Sequence, residues 1–173
     1  MSGSLYKALS EKMTYILAKN RDEDVVEAFR RYREYLKQNK ELFPACGYEL
    51  AQSNWYFNFG DHKCPHDGWL KKMEVVENAE GERQQYRTVT IRITLLNSCH
   101  SGEIIFMYPE VYSYSLGATH VFQGHDDWRY DEFRVNEKGH LIHEIEWAGY
   151  ESASSWLIEA NDVVYSYTES KGT

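Results

Sequence analysis

Reactive side chains are densest in Asp61-His62-Lys63-Cys64-Pro65-His66-Asp67. His62, Cys64 and His66 alternate, so an extended backbone would point all three the same way. Imidazole and thiolate suit zinc, and a small metal-dependent hydrolase is one reading of the cluster. Zinc sites usually recruit a second ligand pair, and only Cys99-His100 and His140-Leu141-Ile142-His143 are on offer. The competing reading is a proline-containing loop in which Asp67 turns the chain into the next strand.

Other constellations are thinner. His143 shares strand parity with Leu141, Ile145 and Trp147, while Glu144 and Glu146 point the other way. That pattern predicts a partly buried His143 under a solvated acidic face. His125-Asp126-Asp127 follows Gly124 and could supply a general base with its orienting carboxylate. Ser98, Ser154 and Ser155 are candidate nucleophiles, but the chain has no Gly-x-Ser-x-Gly elbow, no Gly-x-Gly-x-x-Gly and no P-loop. The residues favour a protein that is not an enzyme and carries no cofactor.

Aromatic and acidic residues point elsewhere. Aromatics make up 15% of the 173 residues, with 14 Tyr and 5 Trp, and the net charge is −8. Residues 1–47 carry net +2 and residues 48–173 net −10, of which residues 126–162 hold −7. This balance argues against nucleic acid, because phosphates demand a basic surface. Tyr and Trp beside carboxylates suit a protein interface, where charge steers encounter and rings supply lasting contact. Asp126, Asp127, Trp128, Tyr130 and Glu132 cluster at a loop-to-strand junction and are the candidate partner-binding residues. The partner this face fits is a basic protein.

The elements that must position these residues are legible as patterns. Leu5, Leu9, Met13, Ile16 and Leu17 recur at helical spacing, and Asp22 is a candidate N-cap for a second helix. Val25, Val26, Phe29, Tyr32 and Leu36 fill one face of that helix, which Leu42-Phe43-Pro44 ends. Residues 45–68 read as loop. From Trp69 the period becomes two: residues 69–77 and 87–96 form a hairpin around Glu80-Gly81-Glu82, and 103–108 follows. Val111 to Leu116 continues that pattern past Pro109. Residues 128–135 and 141–147 form a hairpin, and 156–160 and 163–167 finish the sheet. The expectation is one α+β domain: a helical hairpin over 1–44 packed on a mainly antiparallel sheet of about six strands within 69–168. An accessory ligand-binding domain with a cavity under the sheet is a further reading of that architecture.

Three cysteines, Cys46, Cys64 and Cys99, cannot all pair, which suits a reducing cytoplasm. No run approaches the ~18 apolar residues of a membrane span, and the first twenty residues lack a signal-peptide pattern.

The order of motifs resembles a group of small bacterial proteins. Phe29-Arg30-Arg31-Tyr32-Arg33-Glu34-Tyr35-Leu36 leads to a Leu-Phe-Pro stop, His66-Asp67-Gly68 opens a strand, and Trp128-Arg129-Tyr130-Asp131-Glu132 comes late, with a His-x-x-x-x-Trp strand. This is similar to uncharacterised helix-then-meander proteins, some grouped with immunity proteins of contact-dependent toxin systems. The resemblance implies a cytoplasmic binder, in its specific form an inhibitor of a basic toxin, and transfers no catalytic residues.

Overall fold

The computed structural model describes Leu17, residues 24–117, Phe122, residues 124–148 and residues 154–170. Helix α1 spans Val25–Asn39. Asp24 caps it, its carboxylate accepting the Glu27 N–H at 3.0 Å. The expected cap, Asp22, lies outside the described residues. Ala28, Tyr32 and Leu36, four apart, form the buried stripe of α1, while Glu27, Arg30, Arg31 and Glu34 pair on its solvent side.

A 3-10 turn, Lys40–Leu42, ends α1, and Pro44 opens a second helix, α2, at Ala45–Gln52. Proline suits a helix start because the N–H it lacks would have no partner there. The Asp162 carboxylate completes that start, accepting the Cys46 N–H at 3.2 Å and the Gly47 N–H at 2.8 Å. The expected helical hairpin over 1–44 is therefore corrected. Its first arm lies outside the described residues except for helical Leu17, and the helix beside α1 comes after it, inside the supposed loop 45–68. The cap that makes α2 possible comes from the far end of the chain.

The sheet has eight strands, not about six. They are β1 (Gly68–Glu80), β2 (Tyr86–Leu96), β3 (Gly102–Tyr108), β4 (Val111–Ser115), β5 (Asp127–Val135), β6 (Leu141–Ala148), β7 (Ser154–Ala160) and β8 (Val164–Glu169). All pairings are antiparallel, in the order β4-β7-β6-β5-β1-β2-β3-β8. The count differs partly because β3 and β4 read as one extended run. At Pro109-Glu110 the chain leaves β3, beside β8 at one end of the sheet, and enters β4 at the other.

This sheet is folded over on itself. Four strand steps separate β3 from β6, yet the Tyr108 hydroxyl meets His143 Nδ1 at 2.5 Å, and Phe106 stacks on Trp128 of β5 at 5.2 Å. Such contacts require β8-β3-β2-β1 and β5-β6-β7-β4 to face each other. Between them lie Ile91, Ile93, Leu95, Ile104, Phe106, Trp128, Phe133, Trp147, Trp156 and Ile158, all fully buried. Aromatic rings dominate this interior: Phe106 stacks on Trp128, and Trp147 packs against Trp128 and Trp156. No described helix is long and apolar enough to cross a membrane.

Folding over has a cost at the junction. β1 and β5 pair only at Gly68↔Trp128 and Trp69↔Asp127, and among the described residues no other strand pairs with that β5 edge. Two tyrosines of α1 take the place of one. The Tyr32 hydroxyl donates to the Phe133 carbonyl at 2.8 Å and accepts the Phe133 N–H at 3.0 Å. The Tyr35 hydroxyl does the same at Val135, at 3.3 and 3.0 Å. A hydroxyl can both donate and accept, so one side chain satisfies both backbone groups of one strand residue. Burial raises both phenols above their ordinary pKa, which keeps the donated proton in place.

Two measurements check this architecture. Tyr32→Phe leaves a buried N–H and C=O unpaired and should cost about 1–3 kcal/mol, read as a lower urea midpoint at unchanged slope. Ile91→Asp puts an unpaired charge between β1 and β3 and should cost at least about 4 kcal/mol or prevent folding. Unchanged midpoints would mean these side chains are not where the fold places them.

Candidate functional site

The two-pair junction of the half-sheets also builds the most suggestive surface feature. The chain turns tightly before β1: the Gly68 N–H bonds the Pro65 carbonyl at 2.9 Å, and a Cβ on Gly68 would lie 2.7 Å from that oxygen. Asp67 and Asp126, one on each side of the junction, adopt left-handed φ values of 58° and 57°. Asp tolerates that conformation better than most residues. Between the two chains opens a groove of about 360 Å³ lined by Trp69, Leu70, Gly124, His125, Asp126 and Asp127.

Trp69 is 50% exposed, and His100 meets it edge-on at 4.4 Å. Asp127 is its strand partner across the junction. Partial burial, then the charges of Asp67 and Asp126, push the Asp127 carboxyl above its ordinary range, so negative charge is crowded here. His125 backs the groove, its ring 4.9 Å from Trp156 and 5.5 Å from Trp147, and burial lowers its pKa. An exposed indole beside convergent carboxylates is a receptor for an ammonium or guanidinium group. Trp69 escaped the sequence reading because its period-two pattern marks it as a strand residue without showing which face stays open.

The structure separates the other candidates. Asp126 and Asp127 share the groove. Tyr130 lies in a different cluster, with Phe59 stacked on His66 at 3.8 Å, His66 at 5.4 Å from Tyr130, and Arg129 over the Tyr130 ring at 5.3 Å. Trp128 and Glu132 are corrected: both are fully buried and cannot form an exposed face. The Trp128 indole N–H donates to Asp131 at 3.0 Å, and Glu132 accepts the Leu17 N–H at 2.8 Å and an Arg134 N–H at 2.7 Å. A register shift between Trp128 and Tyr130 resets the alternation that the sequence appeared to display.

Much of the acidic excess is likewise used internally. Arg134 pairs with both Glu132 and Glu144. Glu159 holds His140 at 2.7 Å, Asn136 at 2.8 Å and Ser113 at 3.0 Å, and Asp162 caps α2. Glu144 therefore does not belong to a solvated acidic face.

His62, Cys64 and His66 do not converge. The segment is a series of turns rather than a strand, with the Cys64 N–H bonded to the Asp61 carbonyl at 2.9 Å. Cys64 is buried, its thiol donates to the Tyr56 carbonyl at 2.9 Å, and burial pushes its pKa up to about 12, far from a ready thiolate. His66 stacks on Phe59, and His62 meets Tyr167 edge-on at 5.1 Å. Among the described residues, no group of three His, Cys, Asp or Glu side chains is arranged to hold a metal ion.

The deepest polar cluster is Asp131, His143, Tyr108, Tyr56 and Trp128. Asp131 accepts from the Trp128 indole and from the Tyr56 hydroxyl, and meets His143 Nε2 at 2.8 Å. The partners assign the tautomer: Nε2–H donates to the carboxylate, and Nδ1 accepts from Tyr108. The predicted partly buried His143 is fully buried, and desolvation lowers its pKa. Its neutral form is favoured in the fold, whereas the unfolded chain takes up a proton near the ordinary value of about 6.5. Stability should thus hold above that pH and fall as pH drops through it. Urea midpoints between pH 8 and 5 should show this slope, reduced in His143→Gln; an unaltered slope would exclude His143 as its source.

No family model matches the chain, and neither curated proteins nor solved structures yield a match.

Proposed function

We propose that this chain is a non-enzymatic protein-binding domain that holds a basic partner in the groove at Trp69, Asp126 and Asp127. The observation that carries the reading is the half-exposed Trp69 indole, which lines one groove with Asp126 and Asp127, where Asp67 and Asp126 crowd the Asp127 carboxylate. Crowded like charges cost folding free energy, and a cation from a partner relieves that cost. The carboxylates steer association, and the indole contributes a desolvated cation–π contact that slows departure. Inhibition of a basic toxin, the role implied by the resemblance to immunity-type proteins, is the specific form of this function. Its setting is the cytoplasm, where Cys46, Cys64 and Cys99 remain free thiols.

The immobilised chain should capture basic proteins from an extract of its source cell. Binding rates at two salt concentrations then separate the two contributions. Asp126→Lys with Asp127→Lys should slow association about tenfold or more and flatten its salt dependence. Trp69→Ala should leave association nearly unchanged and speed dissociation. Neutral or acidic partners, or unaltered rates in both variants, would refute the reading.

A further inference from the structure

The divergence that bares the edge of β5 also bares an edge of β1, and among the described residues no tyrosine hydroxyl covers that one. β1 pairs with β2 from Trp69 to Glu80, with its irregularity confined to Leu70/Lys72. On its other side it pairs with β5 at Gly68 and Trp69 alone. Among the described residues, no strand pairs with the outer edge of Met73–Glu80. β2 pairs with β3 only from Ile91 to Leu96, so the hairpin's outer part projects as a two-stranded ribbon. Val75 is 40% exposed, Val76 47% and Tyr86 66%.

Such an edge is a template for another strand, and natural edges are usually broken by proline, bulges or inward charges. From Lys72 to Glu80 this one is regular, unbulged and free of proline. Its chemistry favours a second copy of the same strand. A two-fold axis perpendicular to the sheet pairs residues of equal parity in antiparallel register. Centred on Val76, it sets Val76 opposite Val76, Glu74 opposite Asn78, and Lys72 opposite Glu80, all on one face. The basic beginning of the free segment thus meets its acidic end, twice by symmetry. In the single chain Lys72 bonds Glu74 at 2.8 Å, an exposed pair whose replacement costs little.

We propose that the outer edge of β1 is a self-association surface, along which two copies of this chain pair antiparallel about Val76. The pairing satisfies the open backbone groups of both ribbons and covers the exposed Val76 side chains. It is independent of the partner groove, which involves β1 only through Trp69 and Leu70.

Sedimentation of the full chain across a range up to several hundred micromolar tests it. The wild type should shift from monomer to dimer as concentration rises. Lys72→Glu and Glu80→Lys each oppose like charges in the proposed register, and each alone should weaken the dimer about tenfold. Mixing the two variants restores opposite charges at both positions and should recover dimerisation as a heterodimer. Urea midpoints close to wild type show that both variants fold, as expected for exposed residues. A wild type that stays monomeric throughout, a dimer insensitive to both reversals, or a mixture that pairs no better than either variant alone would overturn the proposal.

Discussion

Backbone hydrogen bonding at one junction organises this molecule. The two half-sheets face each other across an aromatic interior, and the chain achieves this by joining β1 and β5 through only two residue pairs. Every strand residue beyond those pairs loses a neighbour, and a buried N–H or C=O without a partner costs about 1–3 kcal/mol. On β5 the loss is repaired by Tyr32 and Tyr35, one helix turn apart and matched to alternate strand residues. That repair sets how α1 lies on the sheet, because hydroxyl-to-backbone geometry tolerates little sliding. On β1 no strand among the described residues pairs with that edge, where water can serve the open groups.

The same junction makes the groove. Where the strands part, the turns at Asp67 and Asp126 bring carboxylates from two chain segments together beside Trp69. Here opposite requirements meet within a few residues: Trp128, the strand partner of Gly68, faces the core, while Trp69 next to it is half exposed. Several carboxylates of the acidic C-terminal part are committed to structural duty. Those of Asp131, Glu132, Glu144, Glu159 and Asp162 already serve an indole, a backbone amide, an arginine, a histidine and a helix start. An acidic chain need not present an acidic face.

Buried polarity also bears on specificity of the fold. Asp131 is served by donors from β5, β6 and the segment after α2, and His143 links it to Tyr108 of β3. In a low-dielectric interior such a network is satisfied in one arrangement only, so it ties together strands far apart in the sheet order. The network is a structural device for holding the two half-sheets in register. Its histidine is fully buried and its carboxylate nearly so.

The sequence by itself determined the class of fold and most of its strands. Alternation in residues 87–96, and hairpins closed by Gly81 and Gly139, follow from side-chain periodicity and turn chemistry, which are local. Helix α1 followed from its helical spacing, although Val25 and Val26, expected on its apolar face, are exposed, and the burial of Ile91 followed from strand parity. What only the tertiary structure decided depends on residues distant in the chain. α2 needs a carboxylate from Asp162, so its helix was not visible within residues 45–68. Pro109 marks a bulge or edge in the extended pattern, but that the chain crosses there to the other end of the sheet is not legible in local alternation. Trp128 and Glu132 look like a surface pair in strand alternation, but the register shift after Trp128 resets that alternation, and both are fully buried, Glu132 accepting the Leu17 N–H. Trp69 and Asp127 meet because two strands touch for two residues before diverging. Periodicity records which face a residue takes within its own element; what covers that face, or leaves it bare, depends on where the other elements pack.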